Sequence, residues 1–409
     1  MRISTILSIA TCVLASGGVV ASSAQDKAPD TTQAAAQVAP AEAKAPEPEA
    51  KPAEMKAPAA KPAEDKPEGK IVGKIFADWN YDATQNTPAT ATEKSFVELN
   101  RVYLGYDFKI NKAFSTEAML DVQRIDPYTA PNNSNVGSSI KVDTGKTANL
   151  GTVSVEAPLS LKINDSYITY LKTAYVAWKG ILPTTTLTLG QFTYFAFDVM
   201  ESFWGHRYVF KSFMDQEGWA SSADLGAKVL VNPIDMLKIT VGVTQGEGYK
   251  SNQDAYGDYK VAGAVQVNPI KDLTVYVYGD WMPEQKDMKD SAQKTIAAFV
   301  GYNILNMAKV GLEYDNQISQ GGKRLHDANG VSAYAMYNII KELGVFGRFD
   351  LASSRNSWSA NDGQTMMAGL EYCPVSRVKL ALDYQRVKPR VQGASIAMNK
   401  VFLNGEFDY

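Results

Sequence analysis

From Ile71 to Tyr409 apolar and polar positions alternate with a period of two, the spacing of strands with one apolar and one polar face. In KITVGVTQG, Ile239, Val241 and Val243 share one face, while Lys238, Thr240, Gly242 and Thr244 share the other. In LTVYVYGDW, Leu273, Val275, Val277 and Trp281 oppose Thr274, Tyr276, Tyr278 and Asp280. In RVKLALDYQ, Val378, Leu380, Leu382 and Tyr384 oppose Lys379, Ala381, Asp383 and Gln385. A soluble sandwich also alternates, so three further features decide the architecture.

The first is an internal repeat. The turns VNPIDMLKI, VNPIKDLTV, YNILNMAKV, YNIIKELGV and YCPVSRVKL place Asn or Cys at 232, 268, 303, 338 and 373, spacings of 36, 35, 35 and 35. Each period holds two strands of about ten residues, the length a tilted strand needs to cross a bilayer. A propeller blade would instead fold four short strands into roughly 40–50 residues. The second feature is connection length. Short turns near 110–113, 180–184, 233–236, 269–272, 304–307, 339–342 and 374–377 alternate with longer polar loops. Short turns on one rim and long loops on the other are typical of outer-membrane barrels. Strands starting near 71, 96, 114, 166, 185, 222, 237, 258, 271, 293, 308, 329, 343, 363, 377 and 396 number sixteen. An even count returns both ends of the barrel to the short-turn side, the periplasm. The third feature is a set of aromatics near strand ends on the apolar face, including Trp79, Tyr106, Trp178, Trp281, Tyr302, Tyr337 and Tyr372. Such residues form interfacial girdles. The fold class expected is therefore all-β: an antiparallel transmembrane barrel over residues 70–409.

The opposite face is charged. Arg101, Asp121, Lys228, Lys238, Lys260, Asp280, Lys309, Glu313, Arg348, Asp350, Glu371 and Lys379 point inward on this register, as do Lys74, Lys172, Asp224, Asp315 and Asp383. They cannot face hydrocarbon cheaply, nor fill a dry core, so the lumen must hold water. Sixteen strands leave room for it and eight do not. Both signs occur with acids slightly ahead, a tally that does not support strong anion selectivity.

Two segments precede the barrel. Residues 1–24 begin Met1-Arg2, continue through an apolar stretch from Ile3 to Val20 and end Ser22-Ser23-Ala24, the pattern of a cleaved secretory signal. Residues 25–69 are Ala, Pro, Glu and Lys with no aromatic residue, an extended disordered linker in the periplasm. As a passive spacer it would touch nothing; as a tether it would contact the cell wall. The net charge of −3 argues against a nucleic-acid partner. Two Cys and two His offer neither a disulfide scaffold nor a metal centre, and no cofactor is expected. No catalytic constellation is expected either. GKTAN at 145–149 lacks the spaced glycine of a phosphate loop, and Glu313 with Asp315 reads more simply as lumen charge.

The segment TLTLGQFTYFAFDVMESFWGHRYVFKS resembles a strand and loop of the phosphate-selective porin O and P family. The matching positions are Leu189, Gly190, Gln191 and Phe192, then an acid and an arginine, Glu201 and Arg207. The proline usual after Gln-Phe is missing, and no lysine cluster of a phosphate site is visible. The resemblance implies an outer-membrane porin architecture from about residue 71 onward, and by the same analogy a homotrimer. The last residues, VFLNGEFDY, place Phe407 and Tyr409 on the apolar face and resemble the terminal signal that the barrel-assembly machinery recognises. The loop 194–221 is the third long one, and it carries Tyr194, Phe195, Phe197, Phe203, Trp204, Tyr208, Phe210, Phe213 and Trp219. A solvated loop would not be so apolar. It is expected either to fold into the lumen, with Asp198, Glu201, Arg207 and Lys211 as constriction charges, or to pack on the rim or a neighbouring subunit. The function this implies is passive diffusion of small hydrophilic solutes and ions. The alternative is a structural or adhesive barrel with a plugged lumen, embedded in outer-membrane lipid and tied to the cell wall.

Overall fold

Backbone groups facing hydrocarbon have no water to bond, so strands can cross a membrane only as a ring without free edges. The computed structural model shows that ring. It describes residues 66–84, 95–124, 167–253, 257–284, 289–389 and 397–409, all within the compact unit Pro62–Tyr409. The expected signal segment and linker lie outside the described residues. The strands are β1 (Glu68–Asp82), β2 (Ser95–Lys109), β3 (Phe114–Arg124), β4 (Tyr167–Lys179), β5 (Thr185–Thr193), β6 (Ala223–Ile234), β7 (Leu237–Thr244) and β8 (Lys260–Val267). They continue as β9 (Leu273–Met282), β10 (Gln293–Ile304), β11 (Ala308–Ile318), β12 (Ala328–Ile340), β13 (Leu343–Ser354), β14 (Gly363–Val375), β15 (Val378–Pro389) and β16 (Met398–Asp408). Each pairs antiparallel with its sequence neighbours, and β1 pairs with β16 to close the barrel. All sixteen start within three residues of the positions expected from the alternation.

The register follows the pattern of the sequence. Val241, Val277 and Leu382 are about half exposed on the outside, whereas Tyr278, Ala381 and Asp383 are buried on the inside. An outward Val or Leu left in water would forgo roughly 1.5–3 kcal/mol relative to burial. A continuous belt of them makes sense only against lipid. Among the described residues no helix is long and apolar enough to cross a membrane. Two aromatic girdles edge the belt. Trp79, Tyr81, Tyr167 and Trp281 lie toward the long-loop rim, and Tyr106, Trp178, Tyr302, Tyr337 and Tyr372 toward the short-turn rim.

The seam between β1 and β16 has a specific lock. The Tyr409 hydroxyl donates to the Tyr103 carbonyl at 2.9 Å, and its backbone N–H donates to Gly73 O at 3.2 Å. A Cβ on Gly73 would come 2.3 Å from the Tyr409 ring, so only glycine admits the ring there. Gly73→Val should therefore displace Tyr409 and weaken the seam by about 1–3 kcal/mol. The check is the temperature at which the purified barrel loses its fast, folded migration on a gel. An unchanged temperature would mean that the ring contributes nothing to closure.

Candidate functional site

The connection from β5 to β6 turns into the barrel instead of away from it. Its first part is helix α1 (Phe195–Trp204), which Gly205 ends in the left-handed conformation at φ 69°. A second helix, α2 (Phe213–Gln216), follows. The loop can enter because inward-facing aromatics on β9, β10, β12 and β13 meet its own. Phe195 packs edge-on to Tyr278 with ring centres 5.7 Å apart, and Phe203 packs edge-on to Phe299 at 5.2 Å. Trp204 lies 5.0 Å from Tyr334 and edge-on to Phe346 at 6.1 Å. Phe213 fills the space over Gly330, where a Cβ would meet its ring at 2.3 Å.

Polar contacts complete the anchoring. The Tyr278 and Tyr194 hydroxyls are hydrogen-bonded to each other at 2.8 Å, and Gln317 donates to the Trp219 carbonyl at 2.6 Å. Arg348 donates to the Lys211 carbonyl at 2.7 Å while pairing with Asp350 at 2.8 Å; its guanidinium also sits 5.0 Å from the Trp204 ring centre. On β14, Glu371 accepts from Tyr208 at 2.7 Å and lies 3.2 Å from His206 Nε2. Thus the rim alternative for this loop does not describe the chain: the loop lies against six consecutive strands inside the barrel. That cover changes the fate of some inward charges. Glu313 and Asp315 are fully buried rather than water-facing, because the loop lies over them.

The loop faces β1–β4 across two cavities that share Arg207. Arg207 pairs with Asp215 at 2.8 Å and with Glu201 at 3.3 Å, and it reaches the Tyr103 side chain on β2. On the wall, Arg101 donates to the Tyr103 hydroxyl at 2.9 Å and pairs with Asp121 at 3.4 Å. The Lys172 ammonium sits 4.0 Å over the Tyr103 ring. From the β7–β8 loop, Tyr249 donates to Asp121 at 2.6 Å and Lys250 donates to Gln123 at 2.8 Å. On the long-loop side lies a cavity of ≈ 170 Å³ lined by Arg101, Arg207, Lys211, Asp215 and Lys250. On the short-turn side lies one of ≈ 500 Å³ lined by Lys74, Tyr103, Lys172, Glu201, Arg207 and Lys379. Arg207 lines both.

The neck has an excess of positive charge. Arg101, Lys172, Arg207, Lys211 and Lys250 are five cations against three carboxylates, Asp121, Asp215 and Glu201. Burial works against ionisation of Asp215, yet Arg207, Lys211 and Arg101 hold it below the usual carboxylate range. Burial pushes the Lys211 ammonium down, and Arg207 and Arg101 add to the effect. Enclosure, with Arg101 and Lys211 nearby, lowers Lys250 to about 8.

The remaining expected site residues lie away from the neck. Asp198 and Lys228 approach to 3.9 Å. Together with Lys238 and Lys309 they line a separate cavity under α1. Lys260 donates to the Gly246 carbonyl at 3.4 Å, Asp280 accepts from Tyr278 at 2.6 Å, and Lys379 pairs with Glu406 at 2.7 Å. Phe407 and Tyr409 are on the outer face. Sequence reasoning missed Tyr249 and Lys250. They come from a polar loop with no distinguishing pattern, and only the folded barrel brings them to Asp121.

No family model matches the sequence, and no curated protein does. Solved structures match the fold. OmpT of Vibrio cholerae with loop L8 deleted, an outer membrane protein, has a TM-score of 0.56 at 12% identity, covering 84% of this chain and 100% of that one. The outer membrane channel DcaP of Acinetobacter baumannii also has a TM-score of 0.56 at 12% identity, over 84% and 97%. OmpF of Salmonella typhi, in complex with daunomycin, has 0.54 at 10% identity, over 83% and 97%. The chain therefore has the porin type of barrel fold. One anchor of its inward loop is Phe213 over Gly330. Gly330→Val should eject Phe213 and loosen the loop around it while the barrel still forms. Limited proteolysis of the purified variant should then cut within 205–220, where the wild-type chain resists; equal resistance would show that Phe213 is not an anchor.

Proposed function

We propose that this chain is an outer-membrane porin through which small hydrophilic solutes and ions diffuse passively. The observation that carries the reading is Arg207, shared by a cavity on each side of a loop that lies across the lumen. A charged neck between two wet vestibules is a filter for permeating solutes. Neighbours of the same fold include a protein described as an outer membrane channel, which supports the reading. The V. cholerae OmpT is recorded in a trimer form, with a TM-score of 0.51 at 12% identity, which supports a homotrimer here. Kinship with the phosphate-selective porins is proposed for architecture only. The long loops are assigned to the cell exterior, and residues 25–69 to a periplasmic spacer that follows a cleaved signal. Phe407 and Tyr409 are proposed as the signal read by the assembly machinery.

The neck's excess of cations favours anions, although acids slightly outnumber bases over the whole lumen. In a narrow passage each fixed charge acts at short range and weak screening, so the local balance outweighs the total. Deleting 206–212 should raise single-channel conductance in planar bilayers. Arg207→Gln should move the reversal potential toward cations, and Glu201→Gln toward anions. Both shifts should shrink near 1 M salt, where screening acts over about 3 Å. Unchanged conductance in a folded deletion variant would take the loop out of the permeation path.

Lys250 makes this selectivity pH-dependent. Its ammonium loses a proton as pH rises through about 8, which removes one positive charge from the mouth of the neck. Anion preference should decline between pH 7 and 9 in the wild type. Lys250→Gln should start lower and stay flatter over that range. A wild-type profile that parallels the variant would exclude Lys250 as the titrating group.

A further inference from the structure

The cavity under α1 adjoins the larger vestibule at Ser202 and is otherwise lined by its own residues. Its volume is ≈ 460 Å³, and of its lining residues it shares only Ser202 with the ≈ 500 Å³ vestibule and none with the ≈ 170 Å³ cavity. Its floor and its walls differ in character. Phe195, Val199 and Phe203 from the helix, with Leu230 from β6, give an apolar surface. Lys228, Lys238 and Lys309 stand around it with Asp198 as the one carboxylate of the lining. Lys228 is 3.9 Å from Asp198. Lys238 and Lys309 have no ion pair among the described residues, and the Lys309 ammonium lies 6.0 Å from the Phe203 ring centre. Asn303 contributes a buried amide oxygen without a hydrogen-bond partner among the described residues.

We propose that this cavity binds small organic anions that carry an apolar body, with aromatic carboxylates the best fit. The volume lies within the range of about 300–1,000 Å³ usual for small-molecule sites, which combine an apolar lining with a few placed polar groups. The two unpaired ammonium groups would hold the carboxylate by charge-assisted hydrogen bonds. The rings of Phe195 and Phe203 would take the body, which a bare inorganic anion lacks. Asn303 would favour a ligand that also offers a hydroxyl donor. The site lies beside the neck, so an occupant would be held next to the passage without filling it. The assignment goes beyond the porin reading and does not require conduction.

The test is equilibrium binding to the purified, detergent-folded full chain at low salt. Benzoate is the probe, benzyl alcohol its uncharged counterpart and inorganic phosphate the bare anion. Benzoate should bind saturably, and the other two at least about tenfold more weakly. Lys238→Gln with Lys309→Gln should weaken benzoate about tenfold, and Lys238→Arg with Lys309→Arg should retain it. Lys250→Gln, which alters the neck alone, should leave benzoate binding unchanged. Folded gel migration confirms that each variant forms its barrel. Benzyl alcohol binding as tightly as benzoate would reduce the cavity to an apolar surface and overturn the proposal. So would phosphate binding as tightly, or a double Gln variant that binds normally. Saturable binding that fails only in Lys250→Gln would move the site to the neck and overturn it as well.

Discussion

The structure depends on one constraint: every backbone N–H and C=O at membrane depth must be paired within the protein. An open sheet would leave two edges unpaired in hydrocarbon. Closing β1 on β16 removes them, and the remaining architecture follows from that closure. A ring of sixteen strands is too wide for side chains to fill, so its interior is an aqueous space. Residues that point inward must therefore be polar, unless something else covers them. Those that point outward must be apolar. The alternation along the chain is the record of this division.

The third long loop answers a problem that the closure creates, because a wide hole alone discriminates little. Here the interior is divided by character. Tyr276, Tyr278, Phe299, Tyr334 and Phe346 put aromatic rings on the inner face of β9, β10, β12 and β13, and the loop's own aromatics bury themselves against them. The opposite arc keeps Arg101, Asp121 and Lys172. The loop thus narrows the water-filled space from one side and leaves the charged side as a boundary of the passage. Burying Glu313 and Asp315 beneath it also takes acidic charge away from the path. This is why the balance at the neck differs from the balance of the whole lumen.

Much of this was legible in the sequence. Period-two alternation, the 35-residue repeat and the contrast in connection length fix strand positions because each is imposed by local geometry and by lipid. The aromatic content of 194–221 also showed that the loop must pack on something. Where it packs was not legible, because the loop meets the wall through tertiary contacts between residues far apart in the chain, such as Tyr278 with Tyr194 across 84 residues and Glu371 with Tyr208 across 163. Tyr249 meets Asp121 across 128 residues and left no local trace.

The loop's attachment has a mechanical consequence. A thin cylindrical shell resists bending of its wall poorly and flattens easily under sideways load. Here the loop is fixed to an arc from β9 to β14 and reaches the facing arc where Arg207 meets Tyr103. It acts as an internal strut set across the lumen at the level of Arg207. Lateral pressure from the surrounding lipid is then borne by aromatic packing and ion pairs as well as by the wall. The bore keeps its shape where a small change in shape would matter most.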